Sequence, residues 1–318
     1  SETTKFNETY LLKGDAGTKT INMKAHDAGL KGTLTDNGDG TATFVMDALK
    51  AGDKVSIGGK TYTIGSDEAK VDAWFADNKI TDTANAQITV NGKTYTYYGE
   101  TAATGTTGKI NKGWYAAKPT APTDKDDETT PIYADVNAIK DAVKAGATAE
   151  TGGKTITALN DAKDNLTGDA KADGISDTDA TVISKNKAYE LASKELLKAN
   201  QIGDTENSAK VGVGDVDTSV DLTNGTGTFK IQTGSAKVAN TLSFSLHVGS
   251  DADMTNKIQV NIDSMDSASL GIKGINVKDD SGNAATYAID AISDAISKVS
   301  SQRSSLGAVQ NRLEHTIN

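Results

Sequence analysis

The sequence predicts an α+β, multidomain chain: β-hairpin-rich domains with a few short helices, followed by one long C-terminal α-helix. Three observations carry this. Turn residues at Asp36–Gly40, Gly58-Gly59 and Asn91-Gly92 separate runs of alternating β-branched and aromatic residues, the pattern of hairpins. From about Ala285 the apolar period changes from two to a three–four spacing. All three prolines (Pro119, Pro122, Pro131) fall in one short window, and the only two arginines, Arg303 and Arg312, lie near the C-terminal end.

The hairpins come first. Thr41–Met46 alternates and follows the Asp36–Gly40 turn cluster. Val55–Ile57, Gly58-Gly59 and Lys60–Ile64 read as a second hairpin, and Ile88–Val90, Asn91-Gly92 and Lys93–Tyr97 as a third with a type I′ turn. These two share the string Gly-Lys-Thr-Tyr-Thr, and Gly153–Thr157 is a fainter copy. Between them, Asp67–Asn78 carries Ala69, Val71, Trp74 and Phe75 as a short helix. Pro119–Pro131, with Asp124–Glu128 inside it, reads as a polar linker or long loop. A helix is expected over Ile132–Ala145 on Val136, Ile139 and Val143. A further one runs to Asn200, capped by Asp177 or Thr178. Val211–Thr233, Leu242–Val248 and Ile258–Ile262 return to strand. The expected division is 1–16, 17–118, the 119–131 linker, 132–239 and 240–318.

Length and composition exclude several functions. The 318 residues suffice for two or three modest cores. There is no cysteine, which removes disulfides, thiolate metal sites and cysteine nucleophiles. A net charge of −10 and a pI near 4.9 argue against nucleic-acid and anionic-membrane binding. Mean hydropathy is −0.44, and no stretch approaches the ~18 apolar residues of a membrane span.

No motif points to catalysis or a cofactor. The Gly-Lys-Thr triplets lack a phosphate loop's leading glycine: Lys54, Gln87 and Thr148 stand there. Asp36–Gly40 resembles the start of a calcium loop, but its twelfth position is Asp47 rather than glutamate. His26, His247 and His315 are isolated. The chain is therefore read as non-enzymatic, with no cofactor and no metal.

The long final helix is the informative element. Ile289, Ile292, Ile296, Val299, Leu306, Leu313 and Ile317 follow a heptad-like seam, with Arg303 and Gln310 at two seam positions. At about 1.5 Å per residue such a helix is roughly 50 Å long, and a stripe of that length needs partner helices. Gln302, Arg303, Leu306, Gln310, Arg312 and Leu313 are the candidate interface residues. A polar residue in a seam fixes register and partner choice at some cost in stability.

The tail Ser304-Ser-Leu-Gly-Ala-Val-Gln-Asn-Arg-Leu-Glu-His-Thr-Ile-Asn318 resembles the C-terminal helical core segment of bacterial flagellin, with Leu306–Arg312 its most characteristic part. Leu246–Asp251, Ile258–Ile262 and Ser269–Ile272 resemble the strand pair leading into that helix. Thr4–Asn7 with Leu11-Leu12 and Gly14 resembles the end of the family's N-terminal core segment. Residues 17–239 carry no family signature, as suits the variable outer domains of flagellins.

The resemblance implies a structural subunit of the extracellular flagellar filament, serving motility. Its partners would be other flagellin subunits and filament-associated proteins, with partial contact to a Toll-like flagellin receptor. It also implies a chain lacking the N-terminal core helices and both terminal segments. The competing reading is a surface adhesin or glycan-binding module ending in a coiled-coil stalk.

Overall fold

The computed structural model describes residues 2–5, 30–248, 257–278 and 283–317. The expectations for Phe6–Gly14, His26 and the Gly249–Asp251 stretch lie outside them. The described residues form several small, mostly antiparallel sheets and four helices, the last a long C-terminal one, which is the predicted α+β class.

The chain divides into two compact units. One comprises 49–55 and 61–188; the other comprises 1–48, 56–60 and 189–318. The Pro119–Pro131 stretch lies inside the first of these. There it is tied down: β10 (Glu128–Thr129) pairs in parallel with β8 (Lys109–Ile110), and the Gly108 N–H donates to the Pro122 carbonyl at 2.8 Å.

The first unit is organised by a five-stranded sheet, β12-β11-β6-β7-β9. Its strands are β6 (Gln87–Val90), β7 (Lys93–Tyr98), β9 (Gly113–Tyr115), β11 (Thr148–Thr151) and β12 (Lys154–Thr157). The hairpins β6–β7 and β11–β12 meet through their first strands, Ala149 opposite Val90. Asn91 and Gly92 take φ +48° and +79°, and Gly152 and Gly153 +55° and +75°, as turns between two-residue-linked strands require. All the Gly-Lys-Thr copies thus open the second strand of a hairpin: β12, β7 and β5 (Lys60–Ile64), the last beside β4 (Lys54–Ile57).

Two helices cover this sheet. In α1 (Glu68–Asp77), the Asp67 carboxylate caps the first turn by accepting from the Lys70 N–H at 2.8 Å. In α2 (Val136–Lys144), Asp135 does the same for Ala138 at 3.0 Å. Val71 and Phe75 of α1 and Ile139 and Val143 of α2 enter one core with Ile88, Val90, Tyr95, Tyr97 and Trp114. Fully buried Trp114 donates its indole N–H to Asp82 Oδ1 at 2.8 Å, and the same oxygen accepts from the Val136 N–H at 2.8 Å. Asp82 thereby joins the central aromatic side chain to the start of α2.

The sequence placed a helix start at Asp177 or Thr178, and the structure moves it. Val182–Ile183 instead form β13, parallel to β5, and α3 spans Lys185–Gln201. Ser184 Oγ accepts from the Lys187 N–H at 3.0 Å, the bond of a helix N-cap. A β-branched pair beside an available sheet edge outweighs the helical spacing that follows it.

The loop before β13 contains a half-buried carboxylate. Asp161 accepts from the N–H groups of Asp173 (3.1 Å) and Gly174 (2.9 Å). Burial nevertheless pushes its carboxyl above the ordinary value; those two hydrogen bonds oppose the shift, and the nearby Asp173 and Asp177 add to it. A raised acid pKa means that the folded state holds this proton more tightly than the unfolded one. The group's contribution is therefore greatest below the ordinary carboxylate range and is lost as pH rises through the raised value. Asp161→Asn should flatten that part of the stability profile, measured as urea midpoint against pH.

The second unit contains a four-stranded antiparallel sheet, β14-β15-β3-β2. It is formed by β2 (Gly32–Asp36), β3 (Thr41–Met46), β14 (Lys210–Gly212) and β15 (Thr228–Gln232). Phe44 and Phe229 sit opposite each other in register and stack at 6.0 Å, with Tyr189 of α3 edge-on to Phe229 at 6.4 Å. The β2–β3 turn is closed by Asp39, which accepts from the N–H and hydroxyl of Thr41. β1 (Glu2–Lys5) pairs antiparallel with β16 (Ser235–Val238), Lys5 opposite Ser235.

Candidate functional site: the C-terminal helix and its hairpin

β17 (Leu242–His247) and β18 (Lys257–Ile262) form an antiparallel hairpin, and α4 spans Asn283–Ile317. The register sets Leu242 opposite Ile262, Phe244 opposite Val260 and Leu246 opposite Ile258. Since alternate residues of a strand share a face, these six form one apolar surface. α4 lies against β18. Ile258 and Val260 are each only 4% exposed, whereas Leu242 and Phe244 on the neighbouring strand remain 60% and 40% exposed.

Polar contacts fix the helix in place. Gln302 Nε2 donates to the Asn261 carbonyl at 2.9 Å, and Lys298 Nζ to the Ser269 carbonyl at 2.7 Å. Near its start, the Tyr287 hydroxyl donates to Glu195 Oε2 at 3.3 Å, while Lys198 Nζ reaches Glu195 Oε1 at 2.8 Å. Glu195 is buried, and the two donors supply the compensation that a buried carboxylate requires.

The face that α4 buries within its own chain is made of Tyr287, Ala288, Ala291 and Ala295, continuing through half-buried Val299, Gln302, Leu306, Val309 and Leu313. The large apolar residues of the predicted seam lie elsewhere. Ile289, Ile292 and Ile296 are 66%, 46% and 61% exposed. A heptad repeat drifts about 20° per seven residues around a straight helix. The seam therefore starts on the open side at Ile289 and winds toward the covered side by Leu306 and Leu313. The Ile317 side chain lies outside the described residues.

The six candidate interface residues thus fall on different sides. Gln302, Leu306 and Leu313 are half-buried on the hairpin side. Arg303, Gln310 and Arg312 are exposed, and Gln310 Nε2 donates to Glu314 Oε1 one turn on at 2.9 Å. Sequence reasoning overlooked the alanine strip and Tyr287. The spacing of Tyr287, Ala288, Ala291 and Ala295 carries helical periodicity, but the larger isoleucines dominate any reading by hydrophobicity. Leu242 and Phe244 were read as strand residues without being linked to the helix.

Among the described residues, no three His, Asp or Glu side chains come together as a metal site. No described helix is long and apolar enough to cross a membrane.

The helix thus packs one face on its own hairpin and leaves a second apolar face exposed among the described residues. Comparison with known proteins shows what this helix is similar to. Residues 289–318 match the family model of the bacterial flagellin C-terminal helical region. A putative flagellin, YvzB, of Bacillus subtilis (strain 168) is 47% identical over 75 residues, 24% of this chain and 46% of that protein. Flagellin of the same organism is 39% identical over 112 residues, 29% of this chain and 36% of the relative. The flagellar filament 33 kDa core protein of Treponema phagedenis is 36% identical over 96 residues, 29% of this chain and 32% of the relative. No solved structure matches. The chain spans less than half the length of these relatives, and its C-terminal region is similar to that of bacterial flagellins.

Proposed function

We propose that this chain is a structural subunit of the bacterial flagellar filament, not an enzyme. In this reading α4 packs against helices of its own and neighbouring subunits, and the β-rich domains project outward into solvent. The observation that carries it is the open Ile289–Ile292–Ile296 face on a helix of flagellin sequence. Three large apolar residues aligned over two turns make an exposed patch of the kind that marks an interaction surface. The acidic composition suits a crowded extracellular surface, where net charge keeps neighbouring exteriors soluble.

Gln302, Arg303, Leu306, Gln310, Arg312 and Leu313 serve packing in this reading, with Arg303 and Gln310 setting register. Filament-associated proteins are further partners, and the C-terminal helix supplies part of the contact with a Toll-like flagellin receptor. The test is complementation of a flagellin-null strain. Leu306→Asp or Leu313→Asp should abolish filaments and swimming; normal filaments from both variants would overturn the packing role of these two leucines. Glycan binding or hydrolysis by residues 17–239 would favour an active exterior instead.

A further inference from the structure

The sequence contains three Asn-Gly pairs, at 37–38, 91–92 and 224–225. Glycine has no Cβ to shield its nitrogen, so this dipeptide is prone to cyclise: the glycine N attacks the asparagine side-chain carbon. The three turns treat the reacting groups differently.

Asn37 is pinned: its Nδ2 donates to Thr41 Oγ1 at 2.9 Å, and Thr43 Oγ1 sits 3.2 Å from both Nδ2 and Oδ1. The nitrogen that would attack, on Gly38, has its hydrogen committed to Asp36 Oδ1 at 2.9 Å. Asn224 is also held at both ends, Oδ1 accepting from the Asp221 N–H and Nδ2 donating to the Ser219 carbonyl, each at 2.8 Å.

Asn91 differs. Its Oδ1 accepts from the Thr148 N–H at 2.8 Å, but among the described residues neither its Nδ2 nor the Gly92 N–H has a protein partner, and both residues are exposed. The Thr148 N–H is placed where negative charge develops on Oδ1 during attack, as an oxyanion donor is. Neither the leaving group nor the nucleophile is held by a hydrogen bond to a described residue.

We infer that Asn91-Gly92 is a self-modifying site, the first of the three to deamidate in the folded protein. The Gly92 nitrogen loses its proton to water and bonds to Asn91 Cγ. The Cγ–Nδ2 bond breaks, and ammonia leaves with that proton equivalent. Water then opens the succinimide at one of its two carbonyls. One opening yields aspartate. The other yields isoaspartate, which adds a methylene to the main chain between β6 and β7. Either product adds one negative charge, and isoaspartate also displaces the Asn91 N–H, which holds the Thr148 carbonyl at 2.8 Å and so ties β6 to β11.

The experiment ages the intact chain in mildly alkaline buffer, with and without urea, and quantifies deamidation of each pair by peptide mass spectrometry. Without urea, Asn91 should convert about tenfold faster than Asn37 or Asn224, a barrier difference near 1.4 kcal/mol; in urea the three rates should converge. The Asn91→Gln variant, whose longer side chain disfavours the ring, should lose this signal alone. Native conversion of Asn37 or Asn224 at a rate equal to or above that of Asn91 would overturn the inference. So would conversion of Asn91 in urea only.

Discussion

Replacing Ile292 or Ile296 with aspartate should leave the chain folded and stop it from entering filaments. Both side chains are about half or more exposed, so the substitution removes little from the isolated fold; surface changes of this kind are usually within about 0.5 kcal/mol. The proposed filament covers the same positions. Each isoleucine then contributes about 1.5–3 kcal/mol of apolar burial, and an unpaired carboxylate in its place adds a desolvation penalty of several kcal/mol. The control is on the other side of the helix. Ala291 is fully buried against its own chain, and Ala291→Leu should cost about 1–3 kcal/mol by overpacking. Circular dichroism melts and electron microscopy of filaments separate the two outcomes. An Ile292→Asp chain that assembles normally would mean that this face stays wet.

Trp114→Ala should be the most damaging single change in the unit built on the five-stranded sheet. Its side chain is fully buried, packs edge-on to Tyr97 at 5.6 Å and donates to Asp82. Truncating such a residue costs about 3–5 kcal/mol. Trp114→Phe keeps most of the volume and loses a hydrogen bond worth about 1 kcal/mol. Asp82→Ala should fall between them, because it strands the indole N–H and frees the Val136 N–H at the start of α2. Urea unfolding of the three variants gives the order directly; a Trp114→Ala chain as stable as Trp114→Phe would show that the cavity collapses.

Much of this fold was legible because local chemistry decides it. Asn91-Gly92 sits at positive φ between short strands, so its turn residues located that hairpin. Apolar spacing located the helices that Asp67 and Asp135 cap, although it began the second at Ile132 where the structure begins it at Val136. What the residues could not convey was non-local: that β11 lies beside β6, or that Val182–Ile183 would join β5 rather than begin a helix. The candidate site was legible in the same uneven way. The heptad spacing marked α4 as a helix needing partners, yet it pointed to the isoleucines as the packed face. Within this chain the packed face is the alanine strip, whose small side chains are buried while the larger isoleucines stay exposed.

The pairing of Lys5 with Ser235 has a bearing on how such a protein changes over generations. The stretch between these two residues departs and returns at neighbouring points, so topologically it is one closed excursion. Lengthening an excursion costs only logarithmically in closure entropy, about 0.6 kcal/mol per doubling. Whole domains can therefore be gained, lost or exchanged between those points while the strands at its base keep their register.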